Sequence, residues 1–231
     1  MYQLPLGVRL ADRAVFESFL PGPNAEAVAH ARRAAAGEAG LTFLCGPPSA
    51  GKTHLLQAIC AAAGRALRAG YMPLRELGAL GAGVLQGLPQ LHCLCLDDLD
   101  AVIGRPEWER ALFTVLREFA DSGGALVLAA RAPPALLGWQ LADLGSRCAA
   151  AAVLPLRVLD EQEQGQALRL RAHLRGLELP EDTLRWLQRR FPRDMSRLYD
   201  LLDRLDEAAL VAQRRLTVPF IREVLAGLGG P

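Results

Sequence analysis

The sequence has 231 residues and a formal net charge of +1 at pH 7, with 22% charged and 51% hydrophobic residues. A charge so close to zero excludes the broad basic surface that drives nonspecific DNA binding. No run approaches the roughly 18 consecutive apolar residues of a membrane-spanning helix, and the amino terminus lacks a signal-peptide layout, so we expect a cytoplasmic protein that does not bind membranes.

The first part of the chain predicts an extended segment, a helix, a strand and a second helix. Residues 1–12 have an extended pattern, and an alanine-rich helix is predicted from Asn24 to Ala35. The apolar run Leu41–Cys45 is typical of a buried parallel strand. A helix is then predicted from Thr53 to about Gly64.

The loop between this strand and this helix matches the phosphate-binding pattern G-x-x-x-x-G-K-[ST]. Its lysine, Lys52, is the only lysine among 26 basic residues. A lysine ammonium reaches the outer phosphates on a flexible stem, whereas the forked guanidinium of arginine is a poor substitute. The alternative is a chance glycine- and proline-rich turn, but the flanking strand and helix favour a nucleotide site. The predicted nucleotide contacts here are Gly46, Pro47, Pro48, Ser49, Ala50, Gly51, Lys52, Thr53 and the adjacent His54.

Strand and helix patterns continue to alternate up to residue 159. Further strands are predicted near 68–72, 91–96, 125–130 and 151–154, and further helices near 106–120 and 140–147. This alternation is typical of an α/β fold, and we predict a five-stranded parallel sheet covered by helices on both faces. From residue 160 the patterns are helical only. The predicted organisation is an extended segment at 1–12, a nucleotide-binding domain at 13–159 and a small all-helical domain at 160–231.

Two carboxylates, Asp97 and Asp98, directly follow the apolar run at 91–96. A strand that ends in two carboxylates has the layout of a Walker B motif, which predicts that Asp97 and Thr53 hold Mg²⁺ and that Asp98 orients the attacking water. The alternative is a pair of solvated turn residues or a helix cap. Vigorous ATPases of this kind usually carry glutamate at the position of Asp98. Because aspartate is one methylene shorter, we expect slow intrinsic hydrolysis.

Two arginines are candidates, by their positions, for a role in nucleotide chemistry. Arg147 precedes the last predicted strand, where it could face a neighbouring molecule, and Arg193 opens a helix of the small domain. The alternative for each is an ordinary solvated surface arginine.

Together these residues resemble AAA+ proteins of the DnaA clade, and within it the Hda regulatory inactivators of replication initiation. The similarity extends over nearly the whole chain. Residues 16–24 resemble the segment that precedes the first helix in that clade, and the segments at 177–182 and 213–220 resemble the Hda lid in particular. The resemblance implies an AAA+ P-loop core followed by a helical lid, with Leu20 and Pro21 at the adenine pocket. It further implies that Arg147 is an arginine finger acting in trans and that Arg193 is the sensor 2 arginine.

The resemblance also gives a meaning to the amino terminus. Gln3, Leu4, Pro5 and Leu6 resemble the short peptide by which Hda proteins bind the DNA polymerase sliding clamp. Proline keeps such a tail extended, and leucines can fill an apolar pocket. The alternative is a frayed terminus without function.

Two features depart from the clade or from DnaA itself. Residues 129–132 lack the usual polar sensor 1 residue, and residues 148–153 lack the aromatic that often follows the finger motif. We expect the chain to end after the lid, without the helix-turn-helix domain with which DnaA reads DNA. DNA contact is then expected only through the clamp.

The resulting hypothesis is a regulator that binds an adenine nucleotide, with ADP favoured over ATP, together with Mg²⁺. With the DNA-loaded clamp it would promote hydrolysis of DnaA-bound ATP and so repress re-initiation of replication. Its own ATPase is expected to be weak at most, and homo-oligomers are possible. Two alternatives stay open: a self-sufficient ATPase of the helicase-loader type, and a nucleotide-stabilised tether for DnaA without catalytic input.

Overall fold

The computed structural model describes residues 14–64, 67–88, 90–191, 195–212 and 215–227. By its internal contacts the chain divides into two compact units, Met1–Arg157 and Val158–Pro231. Within the described ranges, no helix is both long enough and apolar enough to cross a membrane.

The first unit alternates strands and helices as predicted. Its strands are β1 (Leu41–Cys45), β2 (Ala69–Pro73), β3 (Cys93–Asp97), β4 (Ala125–Ala130) and β5 (Ala152–Pro155). Its helices are α1 (Ala25–Ala35), α2 (Lys52–Ala63), α3 (Leu74–Leu77), α4 (Pro106–Ser122) and α5 (Ala142–Ala149).

The five strands form one parallel sheet in the order β2-β3-β4-β1-β5, which confirms the predicted fold class. Because the strands are parallel, their last residues share one edge of the sheet, here the carboxyl edge, and their first residues share the amino edge. The loop after β1 and the carboxylates at the end of β3 therefore meet at the carboxyl edge, where open α/β sheets bind ligands.

Both faces of the sheet are buried. Alternate strand residues such as Leu44, Cys95 and Val127 pack beneath α1 and α2, whereas Phe43, Leu96 and Leu128 point the opposite way into the layer that contains α4 and α5. This period of two, with apolar residues on both faces, is what a fully covered parallel sheet requires.

Element boundaries differ from the predicted ones by one or two residues, for local reasons. The N–H of Leu91 completes a turn to Leu88 O at 2.9 Å, so β3 begins only at Cys93. The N–H of Ala151 donates to Cys148 O at 3.3 Å, which delays β5 to Ala152. The helix α4 continues to Ser122 because the stop residue Gly123, with φ 72°, adopts the left-handed cap conformation.

The described residues of the second unit form helices and no strands, as predicted. Its helices are α6 (Glu161–His173), α7 (Glu181–Arg190), α8 (Met195–Ala212) and α9 (Val218–Gly227). The helix α6 begins at a capping box, in which the Asp160 and Glu163 side chains each accept the other's backbone N–H at 2.8 Å. The apolar stripe of α8 is buried at Leu198, Leu201, Leu202 and Leu205.

A compact cluster of charges lies within this helical unit. The carboxylate of Asp203 accepts hydrogen bonds from the guanidinium groups of both Arg171 and Arg175. The Arg171 guanidinium also lies 4.2 Å from the centre of the Tyr199 ring. Burial lowers the pKa of Arg171 and raises the pKa of Tyr199 to about 12. One carboxylate thus compensates two largely buried cations.

Candidate functional site

The phosphate-binding loop has a backbone shape that larger side chains would not allow. Gly51 has φ 94°, and a Cβ atom added there would lie 2.7 Å from Phe19 Cε2. A Cβ atom on Gly46 would lie 2.5 Å from the backbone oxygen of Leu156. Between them Ser49 has φ 62°, an uncommon conformation for a residue other than glycine. Such outliers occur at functional loops because the surrounding structure enforces them.

The amino end of α2 opens directly from this loop. Its N-cap residue is Gly51, which has no side chain to cap the helix. The first-turn N–H groups of a helix lack intrahelical acceptors and carry the positive end of the helix dipole. An anion such as a phosphate can accept hydrogen bonds from these N–H groups and is attracted by the dipole. The chain therefore has the cradle that the sequence pattern predicts.

The Lys52 ammonium lies over the loop from which it extends. Its Nζ donates to Gly46 O at 2.7 Å and to Pro47 O at 2.9 Å. Burial lowers the pKa of Lys52, and the negative charge of Asp97 opposes that shift. The lysine is thus a half-buried cation with carboxylates close by, positioned where outer phosphates are expected.

Asp97 is the buried acceptor of the site, at 3% exposed. Its Oδ2 accepts from Thr53 Oγ1 at 2.6 Å and from Tyr71 OH at 3.0 Å, and its Oδ1 accepts from the backbone N–H of Asp98 at 2.9 Å. The hydroxyl and the carboxylate predicted to hold Mg²⁺ are therefore adjacent, and hard oxygen donors of this kind suit that ion.

Tyr71 is a partner that the sequence did not indicate. It comes from β2, the strand next to β3, and burial together with the charge of Asp97 raises the pKa of its hydroxyl far above the usual range. The group therefore remains a neutral hydrogen-bond donor. A tyrosine in a short strand carries no sequence pattern that points to a carboxylate on the next strand, 26 residues further on.

Asp98 lies at the turn that leaves β3, with φ 54° and ψ 46°. Its carboxylate forms a two-pronged ion pair with Arg75, with Nε to Oδ2 at 3.1 Å and Nη2 to Oδ1 at 3.2 Å. Hydrogen bonding and attraction to Asp98 raise the pKa of Arg75. The residue predicted to orient water thus has an arginine partner, which sequence reasoning missed.

A third carboxylate, Asp100, belongs to the same edge of the sheet. Its Oδ1 accepts from the backbone N–H of Arg131 at 2.9 Å, in the segment where the sequence lacks a polar sensor 1 residue. Its Oδ2 is buried and has no hydrogen-bond partner among the described residues. Asp100 is also close enough to Lys52 for its negative charge to raise the pKa of the lysine, against the lowering caused by burial.

The segment before α1 packs against the loop and α2. The His54 ring contacts the edge of the Phe19 ring with centroids 5.1 Å apart, and its Nε2 lies 3.0 Å from Val15 O. Leu20 is half-buried and Pro21 is exposed beside this contact. The Asn24 side chain then bonds both backbone groups of Arg157, at 2.8 and 2.9 Å. The segment predicted to line an adenine pocket is thereby fixed next to the phosphate loop.

Arg147 lies far from this loop, at the amino edge of the sheet. The residue is exposed on α5, and its guanidinium lies 5.1 Å from the centre of the Phe113 ring of α4. It borders a cavity of about 160 Å³ that is also lined by Gly40, Leu41, Gly124 and Leu126, at the starts of β1 and β4. The phosphate loop follows the other end of β1. Arg147 is therefore directed away from the chain's own nucleotide site.

Two predicted sites lie outside the described residues. These are the clamp-binding residues Gln3, Leu4, Pro5 and Leu6, and the sensor 2 candidate Arg193.

Comparison with known proteins gives matches over both units. Residues 160–225 match the family model of the Hda lid domain. Domain III of the Thermotoga maritima replication initiation protein DnaA is 25% identical, with a TM-score of 0.79, and the match covers 96% of this chain and 100% of that one.

Two further solved structures share the fold at lower identity. AMPPCP-bound DnaA from Aquifex aeolicus is 21% identical with a TM-score of 0.66, over 77% of this chain and 60% of that one. RuvB from Thermotoga maritima, a Holliday junction branch migration motor, is 18% identical with a TM-score of 0.61, over 89% of this chain and 68% of that one. These likenesses confirm the predicted α/β core with a helical lid.

Proposed function

We propose that this chain, an AAA+ protein of the Hda and DnaA type, binds an adenine nucleotide and promotes hydrolysis of the ATP bound to DnaA. The observation that carries the proposal is the position of Arg147. It is exposed at the amino edge of the sheet, whereas the chain's own phosphate loop lies at the carboxyl edge. An arginine so placed can serve a neighbouring molecule's nucleotide and not its own.

The nucleotide-binding part of the proposal rests on four groups at the carboxyl edge. The uncapped amino end of α2 and the Lys52 ammonium would hold phosphates, and Thr53 and Asp97 would hold Mg²⁺. The bound metal would supply charge neutralisation at the phosphates. A solved DnaA of the same fold is bound to the ATP analogue AMPPCP. We favour ADP over ATP as the resident nucleotide.

Weak intrinsic turnover follows from the ion pair of Asp98. Each of its oxygens accepts from the Arg75 guanidinium, which fixes the orientation of the carboxylate and competes with a water molecule for it. The aspartate is also a methylene shorter than glutamate, and a misplacement of about 1 Å can cost roughly a hundredfold in rate. The nucleotide then stabilises the folded domain rather than driving a motor.

Catalysis in trans would come from the Arg147 guanidinium. Inserted beside the phosphates of DnaA-bound ATP, it would stabilise the charge that develops on the transferring phosphoryl group, an effect typically of about 10³–10⁵ in rate. The Phe113 ring beneath it favours a cation and limits the directions in which the side chain points. No proton transfer by Arg147 is required.

Delivery to DnaA would use the amino terminus. Residues Gln3 to Leu6 would bind the DNA-loaded sliding clamp, and DNA would be contacted only through that clamp. In the helical lid, Arg193 would act as the sensor 2 residue. Repression of re-initiation is the expected consequence, because DnaA would be left with ADP.

The test is a DnaA–ATP hydrolysis assay with loaded clamp, comparing the wild-type chain with Arg147→Ala and Arg147→Lys. Alanine should abolish the stimulation. Lysine should retain little of it, because an ammonium lacks the fork that matches phosphate oxygens. The matched control is Arg33→Ala, an exposed arginine on α1 at the other face of the sheet, which should stimulate normally. Normal stimulation by Arg147→Ala would overturn the proposal.

The two alternatives give different results in the same experiment. A self-sufficient ATPase would hydrolyse its own ATP briskly without clamp or DnaA. A tether would be unaffected by Arg147→Ala but would lose its effect on deletion of residues 1–7. Only the proposed regulator predicts that Arg147→Ala and deletion of residues 1–7 each abolish stimulation while nucleotide binding persists.

A further inference from the structure

Glu109 is a completely buried carboxylate in the first turn of α4, at 0% exposed. Glutamate is almost never buried to this extent unless its charge is compensated. Glu107, on the same turn, is exposed and pairs with exposed Arg105, so burial is not a general property of this turn. The proposed trans reaction has so far given Glu109 no role.

The carboxylate of Glu109 joins two segments that are distant in sequence. Its Oε1 accepts the backbone N–H of Gly104 at 2.8 Å, in the segment after β3. Its Oε2 accepts the N–H of Gln140 at 2.9 Å and that of Leu141 at 2.6 Å, at the start of α5. Both oxygens therefore act as acceptors, the hydrogen-bonding pattern of the ionised form. Bonds of this charge-assisted kind are short and strong.

These contacts hold the end of α5 opposite to Arg147. Leu141 is the N-cap residue of α5, and Arg147 lies six residues further on, about 9 Å along the helix axis. On α4, Glu109 and Phe113 are separated by four residues and so lie on the same side of that helix. One side of α4 thus holds the amino end of α5 through Glu109 and the Arg147 guanidinium through Phe113.

The middle of α5 is closely packed, so it cannot move to compensate for a displacement of the amino end of the helix. A Cβ atom on Gly145 would lie 2.7 Å from Trp139 Cδ1, and the Trp139 ring is itself held by a hydrogen bond from its Nε1 to Pro134 O at 2.8 Å. The helix α5 therefore has a fixed contact in its middle and a fixed amino end. A displacement of the amino end is expected to tilt the helix and move Arg147.

We propose that Glu109 is a positioning residue, which fixes α5 through the N–H groups of Gln140 and Leu141 and thereby aims Arg147. This inference rests on the proposed function of Arg147. Glu109 itself would touch neither nucleotide nor partner, and its effect would be exerted only through the helix that carries the arginine.

Glu109→Gln is the informative variant because it keeps the size of the side chain. The amide offers one acceptor oxygen and an NH₂ group, so at least one of the three N–H donors would face another donor. Whichever way the amide turns, the link between Gly104 and the N–H groups of Gln140 and Leu141 is broken, so the amino end of α5 would loosen and Arg147 would be misplaced. Glu107→Gln makes the same chemical change at the exposed position of the same turn and is the matched control.

The measurement is the rate of DnaA–ATP hydrolysis as a function of the concentration of this chain, with loaded clamp. We expect Glu109→Gln to lower the maximal stimulated rate by roughly 10–100-fold, since a misplacement of about 1 Å costs that much. The half-saturating concentration and ADP binding should stay within about twofold of wild type, because the docking surface and nucleotide site are untouched. In an Arg147→Ala background the same change should have no further effect on the rate.

Several outcomes would overturn the inference. Positioning would be excluded if Glu109→Gln left the maximal rate unchanged, whether or not the half-saturating concentration rose. It would also be excluded if the change lowered the rate further in the Arg147→Ala background. If Glu109→Gln fails to fold, Glu109→Asp serves instead, since it keeps both acceptor oxygens and draws α5 towards α4. It should show the same selective loss of maximal rate. If Arg147→Ala itself is silent, the proposed function fails, and that result is distinct from failure of the Glu109 inference alone.

Discussion

The Arg75 guanidinium and the Asp98 carboxylate face each other in a two-pronged ion pair, with nitrogen–oxygen distances of 3.1 and 3.2 Å. Arg75 belongs to the short helix α3 after β2, and Asp98 to the turn after β3, so the pair closes the gap between two neighbouring strand ends. Its effect is to hold in one fixed orientation the carboxylate that would otherwise turn towards a water molecule for hydrolysis.

Replacement of Arg75 by glutamine should raise the chain's own ATP turnover by a few-fold. The change frees the Asp98 carboxylate, and about 1 kcal/mol off the barrier corresponds to roughly fivefold in rate. Phosphate release by the isolated chain is the measurement, with Arg110→Gln, an exposed position on α4, as control. Because both partners of the pair are substantially exposed, the unfolding midpoint should not move. A slower variant would show that the pair assists hydrolysis instead.

Nucleotide affinity should begin to fall at a lower pH than would be expected for a lysine with the usual pKa. Burial lowers the pKa of Lys52, and bound phosphates favour the ammonium form and so raise it again. Affinity is therefore constant below the lowered pKa of the free protein. It then decreases as pH rises between the free and bound values, because binding must take up a proton.

Calorimetric titration with ADP from neutral pH upward tests this dependence. Lys52→Ala should bind much more weakly and show no decline over the same range. Wild-type affinity that stays flat up to the usual lysine pKa of about 10.4 would contradict the expectation.

A Gly51→Ala substitution should destabilise the domain and weaken nucleotide binding together. The new Cβ would occupy a left-handed backbone position and approach the Phe19 ring to 2.7 Å. Such strain costs on the order of 1–3 kcal/mol in the free energy of unfolding. Gly83→Ala is the matched control, since no atom lies within 4 Å of a Cβ there and its backbone is not left-handed. Chemical denaturation of the two variants should differ by that amount, and equal stability would refute the argument.

In the helical unit, Asp203→Asn should lower the free energy of unfolding markedly although it changes one partly exposed side chain. The carboxylate, 41% exposed, is shared by Arg171 and Arg175, which are 9% and 5% exposed. Without it two buried guanidinium groups lack a counter-charge, and we expect a loss of about 2 kcal/mol after allowance for solvent screening.

Asp200→Asn, at an exposed position of the same helix, serves as the control for Asp203→Asn. Urea unfolding of the full chain supplies the measurement. A loss no larger than that of Asp200→Asn would mean that water already compensates the two arginines.

The sequence predicted what depends on local pattern. Apolar strand runs, the loop before Lys52 and the period of α4 specify a covered parallel sheet with a phosphate loop, and these expectations on the fold are confirmed. A loop motif is local, since its eight residues make the turn and begin the helix that follows. Element ends were displaced by one or two residues wherever a turn hydrogen bond competed with the strand ladder, as at Leu91 and Ala151.

The partners of the site residues were not predictable, because they come from other strands and helices. Tyr71 and Arg75 reach the carboxylates of Asp97 and Asp98 only once β2 lies beside β3. Glu109 reads as a solvated charge in the first turn of a helix until α5 folds over it. In each case the side chain is ordinary for its element, and its role depends on a contact between segments far apart in sequence.

Lys52 and Arg147 lie at opposite edges of the sheet, so the two edges carry different functional groups. A two-fold symmetric pair joined edge to edge would place like edges together and leave one of the two groups unused, whereas an antiparallel side-by-side pair could bring each arginine to the other molecule's loop. Edge-to-edge assembly that uses both is head to tail, and copies joined in that way form an open row unless the rotation closes a ring. A single regulator docked by its Arg147 edge on a larger partner would still present its phosphate loop to a second molecule. It would thus be the terminal member of such a row, with its Arg147 edge bound to one neighbour and its phosphate loop still open to another.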